Sequence, residues 1–257
     1  MAKAKKGLLF SILSLLITIA VTATSTYAWF MVNTTVQAQN MQVGVKSDTT
    51  YLVISSSSTL GTDTELDLQV TGQNATIPAV LPVKYDQTGT AQGTWKKAAG
   101  TSYTNGAAST AGYSAIAGGS ESNYMVHFQF YIGATSTTAV APTNLKVSGI
   151  TVANNASSDP DNTFLPAVSV LLVSGSVYAN YTVGNDATKT NGLNDLTQAN
   201  CESVATLLAS MTPGTGNLID AYVYINGDNP VVTSANAANL GEFKVTISFT
   251  CTEGVAA

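Results

Sequence analysis

The chain has 257 residues, with ten lysines, no arginine and fifteen carboxylates, and charged residues make up only 10% of it. Nucleic-acid binding needs clustered cations to neutralise phosphate and arginine forks to read guanine, so the composition argues against that class of partner and against a polybasic attachment to anionic lipid. The shortfall against the roughly 25% charge of an average soluble domain is filled by Thr, Ser, Asn, Ala and Gly. Such a neutral, hydroxyl-rich surface suits close packing of neighbours, because little charge is desolvated when they meet, and it equally suits an ordinary secreted β-protein.

Residues 1–28 come first. Lys3, Lys5 and Lys6 precede an apolar run from Leu8 to Val21, then small and polar residues to Ala28 and the pair Trp29-Phe30. This is the layout of an export signal with a cleavage site between Ala28 and Trp29. Two other layouts stay open. A permanent membrane anchor would use the same hydrophobic helix, although Leu8 to Ala23 falls short of the roughly 20 apolar residues of a spanning helix. A type IV pilin-like leader would be cut at Gly7 and keep the helix as a filament core, but Ile12 stands where such leaders usually have glutamate. Each layout places the protein outside the cell or at its surface, with membrane contact only through an uncleaved N-terminal segment.

After the leader, residues 29–45 form an uncharged arm whose apolar positions run Val36 and Ala38, then shift phase to Met41, Val43 and Val45; a bulge or break near Gln39-Asn40 would explain the shift. Residues 46–257 read as one domain, large enough for a substantial core. Alternation of apolar and polar residues predicts long strands from Tyr124 to Ile132, Ile219 to Ile225 and Phe243 to Cys251. Weaker strands are expected at 41–45, 51–54, 66–70, 80–85, 145–152, 167–173 and 177–183. Residues 88–123, rich in Gly, Ala, Ser and Thr, read as a surface insertion with one short hairpin. One α-helix is expected between Asn194 and Met211, where Leu196, Ala199, Ser203 and Leu207 recur at helical spacing. Asn226-Gly227-Asp228-Asn229-Pro230 is a turn. The fold class is therefore all-β: an antiparallel β-sandwich or jelly roll with one inserted α-helix and an N-terminal hydrophobic signal or anchor helix.

Chemistry is sparse in this chain. His127 is the sole histidine, on the polar face of a predicted strand, and no Gly-x-Ser-x-Gly elbow or Gly-Lys-Ser/Thr loop is present, so the chain is not read as an enzyme. Calcium is the one cofactor left open, with Asp159, Asp161 and Asp228 as oxygen ligands in loops. Cys201 and Cys251, an even number in an exported chain, are expected to form a disulfide; a crosslink across that span would stabilise the fold by roughly 4 kcal/mol. Two buried thiols are the alternative.

An extended, β-competent arm is what an exposed sheet edge accepts as an added strand, and head-to-tail addition between copies generates filaments. The junction Thr26-Tyr27-Ala28-Trp29-Phe30 resembles that of TasA and camelysin-like secreted surface proteins, although Met31-Val32 stand where an acidic residue usually follows. Tyr222 to Asp228, followed by Phe243 to Phe249, is similar to the end of surface proteins bearing that signal. The resemblance implies jelly-roll subunits joined by N-terminal donor strands into extracellular fibres of a biofilm matrix.

The expected function is thus a homopolymeric fibre subunit with Val36, Ala38, Met41, Val43 and Val45 on its assembly strand. The alternatives are a monomeric adhesin or carbohydrate-binding module, using Trp95, Tyr103 and Tyr113 of the insertion, and the pilin-like subunit.

Overall fold

The computed structural model describes residues 42–47, 52–69, 82–88, 91–99, 112–118, 124–135, 141–154, 165–182, 193–195, 197–198, 206–233 and 243–252. In chain order the strands are β1 (Gln42–Ser47), β2 (Leu52–Ser55), β3 (Glu65–Gln69), β4 (Val83–Asp86), β5 (Thr94–Ala98), β6 (Tyr113–Ala115), β7 (Val126–Ala134), β8 (Thr143–Asn154), β9 (Val168–Ser174), β10 (Val177–Thr182), β11 (Leu193–Asp195), β12 (Thr197–Gln198), β13 (Leu208–Ser210), β14 (Asn217–Ile225) and β15 (Phe243–Thr252). The protein is all-β. Among the described residues there is no α-helix, and hence none long and apolar enough to cross a membrane.

Strand formation follows the two-residue period of the sequence. In β7, Val126, Phe128, Phe130 and Ile132 are buried while His127 and Gln129 are exposed; in β15, Val245, Ile247 and Phe249 are buried between half-exposed Lys244, Thr246, Ser248 and Thr250. β8 breaks this period, because Leu145 and Ile150 are an odd number of residues apart yet both are buried in the core. Register shifts against β15 supply the missing residue. Ser248 pairs with Gly149 but Phe249 pairs with Val147, so Ser148 is bulged out and both halves of β8 turn one face inward. A second shift follows near Asn144, whose φ of 57° is the left-handed conformation that asparagine tolerates.

The first sheet has the order β11-β8-β15-β1-β3, with β13 also on β8; the second runs β12-β10-β9-β14-β7-β2; the third is β4-β5-β6. The first two share one apolar core, in which Val43, Leu145, Val152, Ile247 and Phe249 of the first meet Ile54, Phe130, Val170, Leu172 and Val223 of the second. Phe130 and Phe249 sit at its centre, ring centroids 5.8 Å apart and tilted by 58°. Each large apolar side chain buried there contributes about 1.5–3 kcal/mol.

Two expectations are corrected. The helix predicted over 194–211 is absent wherever its residues are described: β11 pairs with β8, β12 with β10, and β13 with β8. Leu207 and Met211 do bury their side chains in the core, but their N–H groups donate to the carbonyls of Leu145 and Pro142, at 2.8 and 2.9 Å. Strand pairing along the edge of β8 gives these backbone groups partners, and Asn194, Asp195 and Thr197 are weak helix formers that offer little resistance. The sheets are also not wholly antiparallel, since β1 runs parallel to β15 while pairing antiparallel with β3 on its other side.

That placement bears on the arm. Val43 and Val45, each 1% exposed, lie in this chain's own core. Val36, Ala38 and Met41, the junction Ala28-Trp29 and the whole leader lie outside the described residues.

Candidate functional site

The alternation that buries Ile219, Ala221, Val223 and Ile225 of β14 sends Asp220, Tyr222 and Tyr224 to the opposite face of the second sheet. Register then builds rows across that face. Asp220 stands between Gln129 of β7 and Val173 of β9, and Val173 stands beside Tyr178 of β10; one step on, Tyr222 lies between His127 and Leu171, which is next to Asn180.

The third sheet covers part of this face. Tyr85 of β4 is opposite Trp95 of β5, with ring centroids 4.5 Å apart, and Trp95 meets Tyr224 edge-on at 5.0 Å and 86°. These rings close a second, smaller apolar cluster with Val83, Met125 and Leu171. Inside it the Tyr224 hydroxyl donates to Asn180 Oδ1 at 2.8 Å, and burial holds that hydroxyl's pKa well above its ordinary value. Gly93 permits the tight approach of the β4–β5 connection, since a Cβ there would lie 2.2 Å from the Asp86 carbonyl oxygen. Its N–H donates to the Tyr85 hydroxyl at 2.7 Å.

Polar bonds fasten this layer to the turn after β14. Gly227 N–H donates to the Val83 carbonyl at 2.8 Å, Lys84 pairs with Asp228 at 2.9 Å and with Asp86 at 3.3 Å, Lys96 pairs with Asp86, and the Tyr113 hydroxyl donates to Asp228 at 2.9 Å. The turn is shaped by Asn226 and Asn229, whose side-chain oxygens accept from the N–H groups of Asp228 and Val231. The bond to Asp228 raises the Lys84 pKa, opposed by partial burial. At Asp86 partial burial pushes upward, but Lys96 and Lys84 outweigh it and hold the carboxyl below its ordinary value.

Between the layers lies a cleft of about 690 Å³. Tyr85 and Trp95 line one wall; Tyr178, Tyr222, His127 and Asp220 line the other. His127 Nε2 is 2.7 Å from Asp220 Oδ1, and Gln129 Nε2 donates to the same oxygen at 2.9 Å. The imidazole stacks on the Tyr222 ring, centroids 4.4 Å apart and 8° from parallel. Their side chains are part-exposed, 32% for His127 and 23% for Asp220, so a ligand reaches them. Among the described residues no lysine lines the cleft: Lys84 and Lys96 are turned to Asp86, and Lys97 donates to the Tyr124 hydroxyl at 3.1 Å. The arrangement offers stacking surfaces and hydrogen-bonding groups.

Of the site residues expected from sequence, Trp95 enters this cleft, whereas Tyr113 faces Lys84 and Asp228 and Tyr103 lies outside the described residues. Asp228, expected as a calcium ligand, is bonded to Lys84 and Tyr113; Asp159 and Asp161 lie outside the described residues. Among the described residues no three of His, Cys, Asp and Glu come together to hold a metal ion. Cys251 is half-buried on β15, and Cys201, with it the expected disulfide, is outside the described residues. Sequence reasoning missed Tyr85, Tyr178, Asp220 and Tyr222. The signal was present on β14, where the face opposite the core reads Asp, Tyr, Tyr rather than the Lys, Thr, Ser, Thr of β15; a solvent face that is aromatic marks a second covering layer. No family model, curated protein or solved structure matches this chain.

Proposed function

We propose that the chain is an exported structural subunit, a β-sandwich of jelly-roll type that assembles into an extracellular fibre by giving its N-terminal strand to a neighbouring copy. The observation that carries this reading is the position of β1. Among the described strands β3 joins its sheet through β1 alone, and β15 is already flanked by β8, so β1 fills a slot between two strands that it alone connects. The same slot accepts the same residues from another copy with identical hydrogen bonds and side-chain contacts. Exchange around a closed ring stops, whereas head-to-tail exchange continues indefinitely.

Local chemistry agrees with a slot that opens and closes. Lys244 of β15 reaches over β1 to Asp67 of β3, Nζ to Oδ1 3.4 Å, and passes above Gly44, where a Cβ would crowd the Asp67, Thr246 and Lys244 side chains at 3.2–3.4 Å. Because this ion pair is largely solvent-exposed it adds at most about 1 kcal/mol to closure. The scarcity of charge and the junction Thr26 to Phe30, which resembles that of fibre-forming secreted proteins, point the same way.

The test uses the mature protein, residues 29–257, prepared in unlabelled and heavy-nitrogen forms, mixed, assembled and treated with an amine-reactive crosslinker. Lys46 of β1 pairs with Ser248, four residues along β15 from Lys244, a backbone separation of about 13 Å that a flexible crosslinker spans. Exchange yields Lys46–Lys244 crosslinks joining heavy to light chains, and electron microscopy shows filaments that disappear when residues 29–47 are deleted. Crosslinks confined to single chains, in protein that stays monomeric at every concentration, would overturn the proposal.

A further inference from the structure

We infer that the cleft between the third sheet and the outer face of the second binds a neutral saccharide, one or two pyranose rings of a longer glycan. The inference rests on the cleft alone, so it stands or falls separately from strand exchange.

Several ligand classes are disfavoured by the walls. Phosphorylated or carboxylated ligands would meet the Asp220 carboxylate, and none of the described lysines lines the cleft to compensate it. A purely apolar ligand would strip water from Asp220 and His127 and give nothing back. A pyranose fits both halves of the site. Its axial C–H bonds form an apolar, slightly positive face that packs on the negative face of an aromatic ring; Trp95 and Tyr178 line the cleft with such rings, while Tyr222 gives a face to His127. Its hydroxyls each donate and accept.

The polar half is arranged for that. His127 and Gln129 both bond Oδ1 of Asp220, which leaves Oδ2 to accept from a sugar hydroxyl. The three side chains come from neighbouring strands, and stacking on Tyr222 restrains the imidazole, so the groups are ordered before a ligand arrives. The volume of about 690 Å³ lies within the roughly 300–1,000 Å³ of ligand sites. The Lys84–Asp86–Lys96 cluster holds the Trp95 wall from outside the cleft, and Gly93, on the lining itself, permits the close approach of the strands behind it.

Isothermal titration of the mature protein with cellotetraose, mannotetraose and chitotetraose tests this, with polygalacturonate and a proline decapeptide as competitors of other chemistry. At least one neutral tetrasaccharide binds, and Tyr222→Ala and Asp220→Asn each weaken it about tenfold or more. Asp220→Asn keeps the side-chain shape, so it carries the test should Tyr222→Ala fail to fold; its melting temperature is expected to equal that of the parent. Absence of binding by all three sugars, binding unchanged in Asp220→Asn, or preference for polygalacturonate or polyproline would overturn the inference.

Discussion

The two faces of the second sheet present a contrast made by the same strands. Toward the first sheet, β7, β9 and β14 offer Phe130, Val170, Leu172 and Val223, all fully buried and without a polar atom among them. Toward the third sheet they offer His127, Ser169, Leu171, Asp220, Tyr222 and Tyr224, a mixture of rings, hydroxyls and a carboxylate that the covering layer only partly encloses. The inner layer is held by burial and tolerates no gap. The outer layer is held by a few rings, hydrogen bonds and ion pairs, and for that reason can leave a cleft open.

Damage to the inner layer is therefore expected to be global and damage to the outer layer local. The largest effect is expected for Phe249→Ala, which empties the centre of the shared core opposite Phe130 and costs about 3–5 kcal/mol, read as a lower midpoint in denaturant with all signals lost together. A smaller one follows from Tyr224→Phe. It removes the bond to Asn180, which is 2% exposed, and stranding that buried amide costs about 1–3 kcal/mol by the same measurement.

Gly93→Ala should divide the molecule along this boundary. A Cβ colliding with the Asp86 carbonyl forces the β4–β5 connection apart, so the near-ultraviolet signal of Trp95 changes while the far-ultraviolet β signal and cooperative unfolding of the core persist. Simultaneous loss of both signals would show that the third sheet is integral to the core.

The pH dependence of the outer layer is the gentlest probe. Asp86 is depressed below its ordinary 3.8, so its contribution is present above that value and is lost as pH falls through the lower folded value. Lys84 is raised above 10.5, so its contribution is complete below that value and disappears as pH rises through the higher folded one. The Trp95 signal should therefore hold between these limits and drift outside them. The drift is small, and added salt weakens it further, because these side chains are about a third exposed.

How much of this was legible depends on which residues carried the information. Val126 to Ile132 and Phe243 to Phe249 announced their strands because each residue's neighbours in sequence differ in polarity and the pleat sorts them to opposite faces. Where the 194–211 segment is described it pairs as short edge strands instead of the expected helix, and Leu207 and Met211, which belong to the apolar stripe, are buried under either reading. Trp95 was recognised as a large aromatic in a poor stretch, but nothing local said that it would stand against Tyr85 and Tyr224, whose positions come from register between distant strands.

Local pattern alone settled the all-β class, the position of most strands and the turn at Asn226 to Pro230, since each depends on propensity or period within a few residues. Tertiary structure decided that β1 enters the middle of a sheet parallel to β15, that Ser148 bulges so both halves of β8 share one core, and that the third sheet roofs an aromatic cleft. Those outcomes come from competition among distant segments for the same sheet edges and the same apolar face, and that competition is resolved only when the whole chain is packed.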